Sequence, residues 1–245
     1  MSNSSKRRLV LIGLEDNAGA VSGPMQVIET LSGFDMKPVG ETITRDVVRP
    51  SMSKTGSLVG AKNFDITLPM ELKAGGLDGG TVQQPELHAA LLACGLVLQA
   101  AKVIRVSGLT SGYSFQDFVD NTTASNTAGE LIHAVMGTES ALYAIVENEP
   151  AVGDELTIGT ATATVTSIDD ALVYRPTSNR TDFKQVTVHG HYDGQRRVAT
   201  HAVADLSFDW SAGQAVTANF TLKGNYASPA DTPMPDAEYS DVFPA

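Results

Sequence analysis

Three of the five histidines, the one cysteine, two glycine pairs and a few acidic pairs are the residues of this 245-residue chain whose types and spacing could do chemistry. His189 and His191 stand two apart in the run Gln185 to Tyr192. In a strand both imidazoles would share a face and could offer two ligands to a metal, with His201 as a third. Asp193-Gly194, between that run and the next at Gln195 to Asp205, has the chemistry of a two-residue type I′ hairpin. Its register sets His191 opposite Arg196, and His201 opposite Val186 on the other face, so the imidazoles do not converge and no metal is expected. Cys94 is the only cysteine, which excludes an internal disulfide. In Leu91-Leu92-Ala93-Cys94-Gly95 it has no basic neighbour to favour a thiolate and reads as a packed helix end. The pairs Gly75-Gly76 and Gly79-Gly80 lack the Lys-Ser/Thr of a phosphate loop. Asp169-Asp170, Glu147 and Glu149 stand in turn-like contexts, and no Gly-x-Ser-x-Gly or His-Glu-x-x-His occurs. No cofactor and no enzyme activity is expected.

The elements around these residues are written mainly in period two. Leu206, Phe208 and Trp210 alternate with Asp205, Ser207 and Asp209, and Val216, Ala218, Phe220 and Leu222 alternate with polar partners. A five-residue loop, Ser211 to Ala215, makes them a hairpin with Trp210 opposite Val216, Phe208 opposite Ala218 and Leu206 opposite Phe220. All the large apolar groups then share one face. Arg8 to Leu14 reads as a first strand, followed by an irregular arm to Gly40. Glu41 to Arg49 reads as a strand stopped by Pro50, and Phe64, Ile66, Leu68 and Met70 mark another. Residues 72–84 read as a flexible loop, and Pro85 opens a helix over 85–94 with Gly95 at its C′ position. From Ser107 to Tyr174 the texture changes to Ser, Thr, Asn and Gly, with short strands at Thr138 to Asn148, Asp154 to Gly159 and Thr160 to Ile168. Gly129 to Gly137 is open between a helical turn and a strand.

Composition narrows the function classes. With 42% hydrophobic and 6% aromatic residues and one tryptophan, the chain reads as a globular, mainly β protein. A net charge of −11 argues against gripping phosphates, because affinity for DNA comes largely from Lys and Arg that neutralise them. Lys6, Arg7 and Arg8 precede an apolar run that breaks at Gly13 and Glu15, too short for a signal peptide, and nothing approaches a membrane span.

Taken in order, several runs resemble the major tail tube protein of long-tailed, siphovirus-type bacteriophages. They are Arg49-Pro50-Ser51-Met52-Ser53 to Gly56-Ser57-Leu58-Val59-Gly60-Ala61-Lys62, Ile66 to Gly76, and Pro85 to Gly95 with its Glu86-Leu87-His88-Ala89-Ala90 start. Near the end come Tyr174-Arg175-Pro176-Thr177-Ser178, Val186-Thr187-Val188 through Tyr192-Asp193-Gly194, Phe220 to Tyr226 and a Pro-rich tail. The resemblance covers residues 8–106 and 174–236. After Glu71-Leu72 the chain departs from it with Lys73-Ala74-Gly75-Gly76, and 107–173 has no counterpart.

The texture of 107–173 reads as an inserted small β-rich lobe, and the resemblance implies a β-sandwich or half-barrel with one flanking helix for the rest. It divides the chain into an N-terminal arm with the first strand (1–40), a tube domain (41–106 and 174–226), an inserted outer lobe (107–173) and a C-terminal tail (227–245). It implies homohexameric rings whose inner sheets merge, stacked into a tube around a tape-measure protein. Tail terminator and distal tail or baseplate proteins would be the other partners, and DNA would pass through the lumen without specific binding. Such a protein would be assembled in the host bacterial cytoplasm and reside in the virion tail, with no membrane contact. On this reading Asp46, Asp65, Asp205 and Asp209, each the polar partner in a strand, would line the lumen and repel DNA. A β-sandwich adhesin or carbohydrate-binding module is the alternative, which the scattered Tyr113, Tyr143, Tyr192 and Tyr226 do not favour.

Overall fold

Phe64, Ile66, Leu68 and Met70 are all buried in the computed structural model, on one side of a strand whose intervening Asn63, Asp65 and Thr67 are exposed. The structure describes residues 8–16, 19–43, 58–78, 81–137, 140–192 and 194–236. In chain order the strands are β1 (Arg8–Leu14), β2 (Gln26–Ile28), β3 (Asp35–Ile43), β4 (Leu58–Glu71), β5 (Leu77–Asp78) and β6 (Thr81–Val82). A helix, α1 (His88–Ala93), is followed by β7 (Leu96–Ser107), β8 (Phe118–Asn121), β9 (Asn126–Val135), β10 (Ser140–Val146), β11 (Glu155–Ile158) and β12 (Ala161–Pro176). The chain ends in β13 (Val186–Tyr192), β14 (Gln195–Asp209) and β15 (Thr217–Asp231). The protein is mainly β, with α1 the one α-helix among the described residues.

The chain forms two compact units, 1–76 with 84–96 and 176–245, and 77–83 with 97–175. The first unit holds a seven-stranded sheet in the order β2-β1-β13-β14-β15-β4-β3. The hairpin β14–β15 has the register that the alternation predicts, with Leu206 opposite Phe220 and Phe208 opposite Ala218. The sheet curls until its last strand meets its other end. Phe34, just before β3, stacks on Tyr192 of β13 at 5.9 Å, and a Cβ at Gly190 would lie 3.2 Å from Met36 Sδ. Arg8 and Arg197 donate to the carbonyls of Phe34 (3.2 Å) and Met36 (2.8 Å) while lying over the Tyr192 ring, 5.7 and 4.7 Å from its centroid. Inside the curl sit Val10, Ile12, Val188, Phe64, Ile66, Phe220 and Leu222, all fully buried.

The apolar face of the β14–β15 hairpin is only partly covered. Leu206 is half-buried, Phe208 is 46% exposed and Trp210 78% exposed. The three side chains share one face as expected, but the opposite wall ends before them, because β13 begins at Val186, which pairs with Ala202. Residues to Gly40, expected to form an arm, carry β2 and most of β3. Pro38 is accommodated because β3 ends the sheet, where a missing N–H costs no ladder bond. Of the expected strand Glu41 to Arg49, only Glu41 to Ile43 falls within the described residues.

The helix is shorter than the expected 85–94. Pro85 to Leu87 form a turn with His88 N donating to Pro85 O (2.9 Å), and no side chain caps the first turn. Its C-terminal end follows expectation, with Gly95 at φ +76 where a side chain would be strained.

The second unit is a six-stranded closed barrel, β10-β7-β12-β11-β8-β9, filled by Ile104, Val119, Leu131, Leu142, Leu156 and Val165 among others. Gly129 to Gly137, left open by periodicity, belongs to a strand through Val135. A side chain at Gly129 would collide with the Ile145 carbonyl, so the strands cross there only because none exists. The loop 72–84 carries the two-residue ladder of β5 and β6, and its residues 77–83 group with 97–175.

These burials make a direct test by urea unfolding followed by circular dichroism. Phe220→Ala should cost about 3–5 kcal/mol through the cavity it leaves. Phe208→Ala, on the same face of the same hairpin, should cost less than about 1 kcal/mol.

Candidate functional site

The residues singled out for chemistry stay dispersed. His189 and His191 share a face, with ring centroids 6.4 Å apart and edge to face, and His191 lies opposite Arg196 as the turn register predicts. His201 does not lie opposite Val186, which pairs with Ala202 instead. A register shift between Val186 and Val188 moves the pairing by a residue and leaves His201 at φ +54. Gly194 has a positive φ (89°), while Asp193 lies outside the described residues. Among the described residues no group of three or more His, Cys, Asp or Glu is placed to hold a metal ion. Cys94 donates its Sγ–H to Ala90 O (3.2 Å), and burial, then the charge of Asp205, push its pKa up to about 12. That thiol remains protonated at neutral pH.

What the structure brings together is a sheet face. The strands β14, β15, β4 and β3 lie side by side, and their polar residues align in rows across the register, about 4.8 Å apart within a row. One row is Val203, Lys223, Asp65 and Lys37. The next is Asp205, Thr221, Thr67 and Asp35, and a further one at the hairpin end is Asp209, Thr217 and Glu71. Three of the four nominated aspartates, Asp65, Asp205 and Asp209, therefore share one exposed face, whereas Asp46 lies outside the described residues.

Their environments differ. Asp65 is flanked across both strand neighbours by lysines, Lys37 and Lys223. Asp209 accepts from Asn219 Nδ2 at 2.7 Å. Asp35 is bridged by Lys37 at 2.8 Å, and that hydrogen bond holds its carboxyl below the usual carboxylate range. Five carboxylates face two lysines on this surface, so it is acidic overall with a basic row inside it.

This face is open while the rest of the sheet's outer side is not. On β1 and β13 residues on both faces are buried, one set against the inner core and the other under α1, which contacts β1, β13 and β14. Beyond Ala202, β14 has left β13 behind, so Val203 to Asp209 pair only with β15 among the described residues. That stretch is an unpaired strand edge. On the far side of the same four strands, β3 presents the other edge, with the Phe34 and Met36 carbonyls taken by Arg8 and Arg197.

A second feature escaped sequence reasoning. Glu15 follows β1 and has a side chain 1% exposed. Its Oε1 accepts from Thr187 Oγ1 (2.5 Å) and His201 N (2.7 Å), but Oε2 has no hydrogen-bond partner among the described residues. It borders a cavity of about 770 Å3, also lined by Arg180, Phe183, Lys184, His201 and Val203. Nothing in the local sequence marks Glu15 as buried, because the strand pattern ends at Leu14.

Burial, then the charges of Arg196 and His191, lower the pKa of His189 to about 4. The unfolded chain therefore binds a proton that the native state refuses between pH 6.5 and 4. Stability from this site is full above pH 6.5 and is lost as the pH falls through that window. His189→Gln should flatten the fall in melting temperature between pH 6.5 and 4 while leaving His191's smaller contribution.

A family model described as phage tail tube protein matches residues 5–245. No curated protein matches the chain.

Proposed function

The chain belongs to the phage tail tube protein family, and from that premise we propose that six copies close into a ring with the open face of β14, β15, β4 and β3 turned toward the bore. The family is structural rather than enzymatic, and its members assemble into the tube of the virion tail with other tail components. On the proposed reading the rings stack around a tape-measure protein, tail terminator and distal tail or baseplate proteins close the two ends, and DNA leaves for the host through the lumen. Assembly takes place in the host bacterial cytoplasm. No helix among the described residues is long and apolar enough to cross a membrane.

The observation that carries this reading is the pair of edges that bound the open face. Neighbouring strands in the order β14-β15-β4-β3 are all antiparallel, so β14 and β3 run in opposite directions. Rotation about a tube axis preserves strand direction, so the β3 of one copy meets the β14 of the next as an antiparallel pair, and the alternation continues around the ring. Closure removes edges that would otherwise recruit any passing strand. An acidic bore supports passage of DNA without adhesion, because phosphates meet few ammonium groups and release few counterions. The second unit then decorates the outer wall.

Negative-stain electron microscopy of the concentrated protein should show hollow tubes with sixfold end views. A strict monomer in the presence of tail initiator complexes would overturn the reading. Cysteine labelling assigns the faces: Asp205→Cys and Asp209→Cys should react with a maleimide on a bulky polymer in the monomer but not within tubes. Phe118→Cys, exposed on the barrel of the second unit, should react in both. Equal labelling of Asp205→Cys in both states would place the aspartates outside the lumen.

A further inference from the structure

We infer that the apolar tip of the β14–β15 hairpin, Phe208 and Trp210 with Leu72 beside them, is the ring-to-ring contact and seats on the opposite rim of a second copy in the next ring. The inference rests on the ring reading above and assigns the axial contact which that reading leaves open.

The tip is a continuous apolar surface carried by three strands. Phe208 stands opposite Ala218, and Ala218 opposite Met70. Trp210 and Val216 follow the last pair of the hairpin ladder, Asp209 with Thr217, and Val216 O accepts from Leu72 N at 2.9 Å. Ala218 and Met70 are buried, whereas Leu72, Phe208 and Trp210 are exposed. Every residue of the tip, 70–73 and 205–218, lies within the described part of the chain. The surface is held firmly: Gln214 N donates to Ser211 O (3.1 Å) across the turn, and Asn219 Nδ2 to Asp209 Oδ2 (2.7 Å) across the hairpin. A large side chain presented on an ordered turn loses little further freedom on docking, and tryptophan is among the residues that carry most of the energy of protein interfaces.

Two observations identify the occupant. A tube built from copies of this chain sets a copy against each end of every other. The four bore strands run from rim to rim, so the turn Ser211 to Ala215 stands at a rim, where the next ring begins. The second observation is charge. Near the tip the polar face carries Asp205, Asp209, Glu71 and Asp35 with no lysine in their rows, and toward the other end the same strands carry Lys223, Lys37 and Lys62 against Asp65 and Glu41. Rings stacked head to tail bring the acidic rim of one onto the more basic rim of the next, whereas head-to-head stacking brings two acidic rims together. The apolar tip supplies affinity, and the charges set the polarity of the stack.

Trp210 is the only tryptophan, so its fluorescence reads the contact directly. On assembly of the parent protein its emission should move to shorter wavelength, and its quenching by acrylamide should fall below that of the unassembled protein at high dilution. Trp210→Ala and Phe208→Ala should each raise the protein concentration needed for tubes about tenfold or more. Below that concentration negative stain should show separate rings with sixfold end views, and Trp210→Phe should restore most of the loss. Because Trp210 is exposed in the single subunit, unassembled Trp210→Ala should melt as the parent does, which excludes a folding defect. Tubes in which Trp210 stays as open to acrylamide as in the unassembled protein overturn the ring-to-ring contact and leave the ring reading intact. A Trp210→Ala variant that loses rings together with tubes also overturns it, since the tip then belongs to the contact within a ring. Failure of the parent protein to assemble at all, with tail initiator complexes present, overturns both readings.

Discussion

The first unit depends on the fastening of its last strand. A seven-stranded sheet with one apolar face has to bury that face, and with one short helix available it does so by curling onto itself. The seam is held where β3 reaches the far end of the sheet, with Tyr192 stacked on Phe34 and carrying Arg8 and Arg197 over its ring. The guanidinium groups link packing to hydrogen bonding. They lie against an aromatic that is itself part of the seam, and they donate to Phe34 O and Met36 O of the last strand. Cation and ring interactions of this kind contribute on the order of 1 kcal/mol each. Their larger consequence is geometric, since they fix which part of the sheet's outer face remains uncovered and which part of β3 remains available to another chain.

Strand length does the rest. β14 outruns β13 from Val203 onward, and the same overhang produces three features at once: an unpaired edge, an open polar face, and an apolar tip at Phe208 and Trp210 that the monomer leaves exposed. In an isolated protein each would be a liability, the edge because it can template foreign strands and the tip because it leaves large apolar surface in water. In the ring proposed above, neighbouring copies would cover all three.

Much of this was legible in the sequence, for a definable reason. Alternation of apolar and polar residues over 64–70 and 205–222 is enough to define the strands, their buried side and the hairpin register, and it assigns Asp65, Asp205 and Asp209 to the polar side that they share in the folded sheet. Burial beyond the end of a partner strand was not legible. Phe208 and Trp210 continue the apolar pattern, but their exposure depends on where β13 begins, 22 residues or more away in sequence. The bulge at His201 was hidden likewise, because it concerns a pairing between two strands and leaves no mark on either. Pro38 misdirected the reading of β3, as a proline argues against a strand unless the strand is known to end the sheet. Glu15 was hidden for a further reason: its burial comes from Thr187 and His201, remote residues whose contact depends on the same bulge.

The order of charges on the open face follows from these constraints more than from overall acidity. Across the register, Asp65 is held between Lys37 and Lys223, so the row containing it is locally basic, whereas the rows of Asp205 with Asp35 and of Asp209 with Glu71 carry no lysine. Repeated sixfold in the proposed ring, such rows would make bands around the bore, acidic toward the hairpin tip and basic about two residues further in than Asp205. A uniformly acidic wall would repel a polyanion along the tube's whole length, and a uniformly basic one would hold it. The basic row and the acidic row beside it, about 7 Å apart, are closer than a Debye length of about 8 Å at physiological salt, so their fields are averaged by a chain that spans both. On the proposed reading, passing DNA would respond to the net acidity of the wall rather than to either lysine, and Asp65 would keep the lysine band weak.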